Sequence, residues 1–180
     1  FEAFASVIPF QQLSLDAGTA IVARLVTRFG RQLVYEGRRF HAFTTASRID
    51  RVRLDSLRAC GLSRPKALTL RGIARTIEAG ELREADLACL NTDDATARLV
   101  DLPGIGPWSA GLVLLRGLGR LDVFPPGDVG AARNLRNLVQ LDPRKPLEPV
   151  IERFGNCRGY LYFCALGGAL LRSGLIRPAS

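Results

Sequence analysis

Apolar residues recur at three- and four-residue spacings along nearly the whole chain, so the pattern predicts one helix after another. Residues 1–12 and 15–29 both carry it. Ser14 or Asp16 can cap the second of these helices, Gly30 can stop it, and Pro9 should kink the first. Gly61 and Ser63 separate a short helix over 54–60 from a longer one over 64–79, which Gly80 ends. More helices are expected at 84–90, 92–102, from 107 onward, and at 128–141, 147–154 and 159–173. Only residues 32–35 pass for a strand. The fold class read from this pattern is all-α.

One stretch between two of these helices changes the picture: Leu102-Pro103-Gly104-Ile105-Gly106-Pro107-Trp108-Ser109-Ala110-Gly111. Thr92 can cap the preceding helix, with Asp93 and Asp94 at the positive end of its peptide dipoles, and Pro103 stops it after Leu102. Gly104 and Gly106 are expected to take conformations barred to residues with a Cβ. Pro107 suits the first turn of the next helix, whose buried stripe would be Ala110, Val113 and Leu114. In such a hairpin the bare amides face outward together, and a phosphate can approach them closely. Gly104, Ile105, Gly106 and Ser109 are therefore expected to grip a nucleic-acid backbone without reading its sequence. A glycine turn can also be no more than a turn between helices. The flanking apolar residues, the placement of Pro107 and the basic chain favour nucleic-acid contact.

About twenty residues further on, Phe124-Pro125-Pro126-Gly127-Asp128 leads into Val129-Gly130-Ala131-Ala132-Arg133-Asn134-Leu135. Asp128 thus stands where a helix cap would be, a role an Asp often fills and no more. At the mouth of a cleft the same carboxylate could stabilise the positive charge that builds on a sugar C1′ as a glycosidic bond breaks. At about 4 Å and an effective dielectric near 20 that attraction reaches roughly 4 kcal/mol, about a thousandfold in rate.

The net charge of +8, from 25 basic and 17 acidic side chains, suits a polyanionic partner, and its uneven spread sharpens the point. Residues 19–75 hold 13 Lys or Arg against three acids, whereas 76–101 hold two against seven. Lysine occurs only as Lys66 and Lys145, so the basic charge is almost all arginine, which genome composition or a solvated surface could also explain. The length of 180 residues fits one domain or two small helical lobes sharing a cleft. The apolar run over 160–171 is too short to cross a bilayer and no targeting segment opens the chain, so a soluble, cytoplasmic protein is expected. Cys60, Cys89, Cys157 and Cys164 form no CxxC pair and are read as buried thiols, with no metal or other cofactor required. His41 is read as structural, and Asp122 as a structural hydrogen-bond acceptor. With no methionine and an opening Phe1-Glu2-Ala3-Phe4, the chain reads as a trimmed or processed piece.

The segment from Leu102 to Leu135 resembles the signature of the helix-hairpin-helix (HhH-GPD) DNA glycosylase superfamily, in which an LPGIG-type hairpin precedes an essential aspartate. More narrowly the chain is similar to alkylpurine glycosylases of the AlkA type, 3-methyladenine DNA glycosylase II. Gln11-Gln12-Leu13-Ser14, Gly61-Leu62-Ser63 with Lys66-Ala67, Asp122-Val123-Phe124-Pro125 and Arg158-Gly159-Tyr160 extend the likeness over nearly the whole chain.

The resemblance implies a two-lobed all-α fold with a cleft between lobes. One lobe would span about 15–117, and the other about 1–14 plus 118–180, with the crossing near 117–127. Asp128 would be catalytic. The hairpin would hold phosphates beside the lesion, with a monovalent cation on the carbonyls of Leu102 and Ile105, and Ser63 and Lys66 would add DNA contacts. Gln11 and Gln12 stand where similar enzymes push a wedge into the duplex, with Leu13 as neighbour. Trp108 replaces the lysine of members that also cut the strand, which implies a glycosylase using water. Its ring could stack on a cationic base or simply pack in the core. Tyr160 and Tyr162 are candidate pocket walls, and Tyr160 is assigned to the base pocket with Trp108.

The expected partner is damaged duplex DNA, the expected state a monomer, and the expected place the bacterial nucleoid. The leading substrate is alkylated adenine; uracil or an oxidised or deaminated base, or a non-catalytic DNA-binding module, are the alternatives. Cys157 and Val129 depart from residues common in relatives, the iron–sulfur cysteines of the endonuclease III branch are missing, and no β-rich lobe of the kind that often precedes this region is read in the sequence, as expected of a trimmed chain or a compact variant.

Overall fold

The computed structural model describes residues 1–174 and 176. Helix α1 (Glu2–Val7) runs into a 3-10 turn at Ile8–Phe10, with Pro9 at the junction, so the expected 1–12 helix breaks where proline removes an amide. Helix α2 (Leu15–Phe29) starts at Ser14, whose side chain accepts from the Ala17 amide, and ends at Gly30. There follow α3 (Ala46–Asp50), α4 (Leu54–Arg58), α5 (Arg64–Glu78), α6 (Glu84–Cys89), α7 (Thr92–Val100) and α8 (Pro107–Gly117). The chain closes with α9 (Val129–Leu138), α10 (Glu148–Glu152), a 3-10 turn at Gly155–Cys157 and α11 (Arg158–Arg172). No described helix is long and apolar enough to cross a membrane.

Two differences from the expected elements have simple causes. The strand expected at 32–35 is real, and it pairs with Arg38–His41 in an antiparallel ribbon, β1 (Gln32–Tyr35) and β2 (Arg38–His41). Glu36 and Gly37 both have positive φ, 48° and 72°, the backbone of a tight hairpin turn. The second strand went unread because Arg38-Arg39-Phe40-His41 does not alternate apolar with polar. At α7 the cap is Asn91, whose Oδ1 accepts from the Asp94 amide at 2.8 Å, rather than Thr92. The Thr92 hydroxyl instead donates to Asp122, which serves as the expected structural acceptor.

Among the described residues two hydrophobic cores form. The larger joins Phe4, Val7 and Ile8 to Leu25, Ile49, Leu70, Leu99, Leu114 and neighbours; the smaller gathers Leu135, Leu147, Leu161 and Ala165 from α9 to α11. Helix α1 packs on α8, and its buried residues share the larger core with Val123, Ala131 and Tyr162 from the 118–180 stretch. The 118–128 segment links the two, and Phe124 packs against both. It is pinned by Arg120, which donates to the carbonyls of Leu87 and Leu90 at 2.8 and 2.6 Å, and by Arg158, whose Nε donates to the Asp122 carbonyl. Glycine is required where helices approach this segment closely: a Cβ on Gly159 would meet the carbonyls of Leu121 and Val123 at 2.9 Å.

Candidate active site

The hairpin is built as a turn with unspent donors. The Ile105 amide donates to the Leu102 carbonyl at 3.0 Å, closing the turn. Gly104 sits at φ +83°, and a Cβ there would lie 2.0 Å from Thr69 Oγ1, so only glycine fits. Gly106 differs from the expectation: its φ of −98° suits any residue, and no protein atom would touch an added Cβ. Its bareness therefore serves nothing inside the protein and leaves the outer side of the α8 N-terminus open. Among the described residues, the amides of Gly104, Gly106, Trp108 and Ser109 meet no acceptor. Unspent amides at the positive end of an eleven-residue helix are the kind of group that accepts an anion.

The side chains behind this cradle are structural. Ile105 is buried in the core, and Ser109, 2% exposed, accepts at 3.0 Å from Gln11 Nε2, which also donates to the Gly104 carbonyl at 2.9 Å. These two can meet a ligand through their backbone alone. The Leu102 carbonyl keeps one free lone pair beside its turn bond, and no described protein donor meets the Ile105 carbonyl.

The turn before α2 is tied to the same assembly. Lys66 donates from Nζ to the carbonyls of Pro9 and Gln11 at 3.1 and 2.6 Å, and partial burial pulls its ammonium below its ordinary pKa. Lys66 thus clamps the turn with two of its three N–H donors, and Gln11 bridges that turn to the hairpin. Gln12 is left at the tip, exposed and in left-handed backbone at φ +56°, with Leu13 beside it on the cleft wall. Ser63 is exposed and caps α5 through the Lys66 amide at 3.4 Å.

Asp128 lies at the start of α9, half-buried and gripped on both oxygens. Oδ1 accepts from the Ala131 amide at 2.8 Å, and Oδ2 accepts from Trp108 Nε1 at 2.9 Å. The first bond is the expected cap. The second ties the carboxylate to the hairpin helix, and sequence reasoning missed it. Loop 125–127 delivers Asp128 there because Gly111 on α8 lets Pro125 and Pro126 close in; a Cβ on Gly111 would lie 3.0 Å from Pro126. Asp128 and Trp108 line a cleft of about 870 Å³ between the 7–19 region and helices α9 and α11, and Leu13, Arg116, Asn134 and Tyr162 also face it. On its other side Asp128 borders a second cavity of about 540 Å³, walled by Pro107, Phe124 and Ile151.

The last helix corrects one assignment. Tyr160 is 54% exposed and faces neither cavity, whereas Tyr162 is 7% exposed and lines the cleft. The signal was present in the spacing, since Gly159, Tyr162 and Ala165 fall on one buried stripe of α11 and Tyr160 on the opposite side. Burial raises the Tyr162 phenol above its ordinary pKa, the negative charge of Asp128 adds to the rise, and Arg116 opposes it. The cysteines need a similar correction. Cys60 is buried, and burial pushes its thiol up, but Cys89, Cys157 and Cys164 are exposed. Among the described residues no His, Cys, Asp and Glu cluster could hold a metal ion.

With this geometry in place, comparison with known proteins assigns the family. Bacillus subtilis DNA-3-methyladenine glycosylase is 30% identical over 152 residues, covering 84% of this chain and 50% of the relative. The chain thus spans about half the length of the curated relatives it matches. A solved 3-methyladenine DNA glycosylase from Archaeoglobus fulgidus superposes with a TM-score of 0.77 at 32% identity, over 95% of this chain and 57% of that one. The Schizosaccharomyces pombe 3-methyladenine DNA glycosylase, solved with abasic DNA, gives a TM-score of 0.69 at 25% identity over 89% of this chain and 78% of that one. Residues 5–157, which hold the hairpin, Trp108 and Asp128, match the family described as HhH-GPD superfamily base excision DNA repair protein, and the chain belongs to that family.

Proposed function

We propose that this chain is the catalytic region of a monofunctional DNA glycosylase. It hydrolyses the N-glycosidic bond of alkylated purines, of the 3-methyladenine kind, in duplex DNA and leaves an abasic site. The observation that carries this reading is Asp128, a carboxylate fixed by the Ala131 amide and by the indole of Trp108, a hairpin residue with an unspent amide that lines the same cleft. A helix cap alone needs the first bond and has no use for the second.

The chemistry follows from those groups. The hairpin amides take a backbone phosphate, and a cation on the Leu102 and Ile105 carbonyls would offset its charge. Gln12, with Leu13, occupies the space the target base vacates when it swings out, a step costing a few kcal/mol. The cleft, at about 870 Å³, has room for one nucleotide. There the faces of Trp108 and Tyr162 attract a ring made cationic by alkylation. Such a ring is already a good leaving group, so little acid catalysis is needed. Asp128 stabilises the positive charge growing at C1′ as the bond to the base breaks, and water completes the substitution. A covalent route through an amine is disfavoured, because Trp108 offers none and the Lys66 ammonium is spent on two carbonyls. The 3-methyladenine activity named for the relatives supports this substrate class. Work on chromosomal DNA puts the enzyme at the nucleoid or its equivalent.

The test is base release from a duplex carrying N3-methyladenine. The parent should free the base and leave sites that break only in alkali, and Asp128→Asn should bind the duplex but release almost nothing. A parent that binds yet frees no base is a binding module, and strand cutting without alkali would overturn the monofunctional mechanism.

A further inference from the structure

The far end of α2 from the cleft, about 20 Å away by the helical rise, carries a separate cavity of about 610 Å³ at the root of the β-ribbon. Its walls include Arg28, Arg31, Arg48, Thr44 and Thr45, and no carboxylate. None of the three guanidinium groups is in an ion pair among the described residues. Thr44 is 4% exposed, and its buried hydroxyl has no protein partner. The other orphaned buried side-chain atom among the described residues, His41 Nδ1, lies three residues away.

Three like charges around one cavity repel, and a buried hydroxyl left unpaired is costly. A single ligand with several strong acceptor oxygens and negative charge answers both. We propose that this cavity binds a phosphate group, as a second site independent of Asp128. Guanidinium forks match the oxygens of phosphate in pairs, and the arginines on this lining come from α2, from the link to β1 and from α3. The ribbon prolongs the basic surface. The register pairs Leu33 with Phe40 and Tyr35 with Arg38, so these four share the ribbon face that begins at Arg31, and the three apolar side chains on it are exposed. Basic and aromatic residues along one face suit a nucleic-acid backbone, and free phosphate offers the same chemistry.

The experiment follows backbone amide shifts by NMR, with the full chain titrated by inorganic phosphate and then by an undamaged duplex two helical turns long. Parent and Arg31→Ala/Arg48→Ala are compared; both positions are exposed, and thermal unfolding checks the fold. Phosphate should shift the amides of Gly30, Thr44, Thr45 and Arg48 in the parent and not in the variant. If a DNA phosphate is the occupant, the duplex shifts the same amides. The variant then binds it about fivefold more weakly, with the slope of log affinity against log salt smaller by about one. If phosphate shifts them and the duplex does not, the site takes free phosphate. No shift with either ligand and an unchanged salt slope overturns the proposal. Repeating the duplex titration on Asp128→Asn keeps this outcome separate from any failure of base excision.

Discussion

Helices α8 and α9 begin a few residues from one another in space, and they begin in opposite ways. The first residues of α8 leave the amides of Trp108 and Ser109 without acceptors, and the capping position is Gly106, which has nothing to offer them. At α9 the capping position is Asp128, whose own oxygen takes the Ala131 amide. One helix end leaves its amides unspent and the other has supplied its own acceptor. The difference divides the labour: an open terminus can hold a phosphate by backbone alone, whereas a filled one fixes a carboxylate in space with no freedom to turn away. The Trp108 indole joins the two ends, because it stands on α8 and donates to Asp128.

The sharpest way to break that division is to empty the filled end of its charge. Asp128→Asn keeps an oxygen for the Ala131 amide, so the fold should survive, while single-turnover base release falls about a thousandfold, the worth of one close charge on the developing cation. Duplex affinity, read by fluorescence anisotropy, should stay within about twofold, since phosphate contacts dominate it. A fall in both together would mean that Asp128 shapes the cleft and does not act on the sugar.

The link between the two ends comes next. Trp108→Phe keeps an aromatic face and removes the indole donor, and a hydrogen bond to a charged group is worth about 1.5–3 kcal/mol. The expected loss is about tenfold to a hundredfold in base release. Added to Asp128→Asn it should cost little more, because the bond it removes acts through Asp128. Additive losses would place Trp108 in the base pocket alone.

Closing the open end should be milder in rate and larger in binding. Gly106→Asp gives α8 the same kind of cap that α9 has, and neither backbone angle nor neighbouring atoms oppose it. Thermal stability should change by no more than a few tenths of a kcal/mol, by the modest preference of Asp over Gly at a cap. Duplex affinity should drop about tenfold as the introduced carboxylate competes for the amides and repels phosphate. Unchanged affinity would remove the hairpin amides from DNA contact.

The smallest effect reads the charge of Asp128 through its neighbour. Burial and Asp128 hold the Tyr162 phenol protonated above its ordinary value of 10.0. The unfolded chain loses that proton first, so the contribution to stability is full below pH 10 and disappears as pH climbs through the raised value. Urea unfolding between pH 8 and 11 should therefore show a decline that Tyr162→Phe flattens, and Asp128→Asn should make it shallower.

The two ends also differ in how visible they were before folding. The Gly104-Ile105-Gly106-Pro107 turn declares itself because its function is local: positive φ, a proline in the first helical turn and bare amides all follow from adjacent residues. Asp128 was visible as a cap for the same reason. That Trp108 donates to it across twenty residues, that Gln11 bridges to Ser109 across 98, and that Lys66 is spent on Pro9 and Gln11 were not, because side chains meet only after helices pack.

Sequence alone determined the succession of helices, the stops at Gly30, Pro103 and Gly80, and the pairing of a hairpin with a downstream carboxylate, since periodicity and turn chemistry act over a few residues. Tertiary structure decided which tyrosine faces the cleft, which of two adjacent glutamines is free, which cysteines are buried, and that arginines from α2, the link to β1 and α3 line one cavity. Each of those outcomes depends on the rotation of one helix against another, a quantity fixed by packing of the whole core and encoded at no single position.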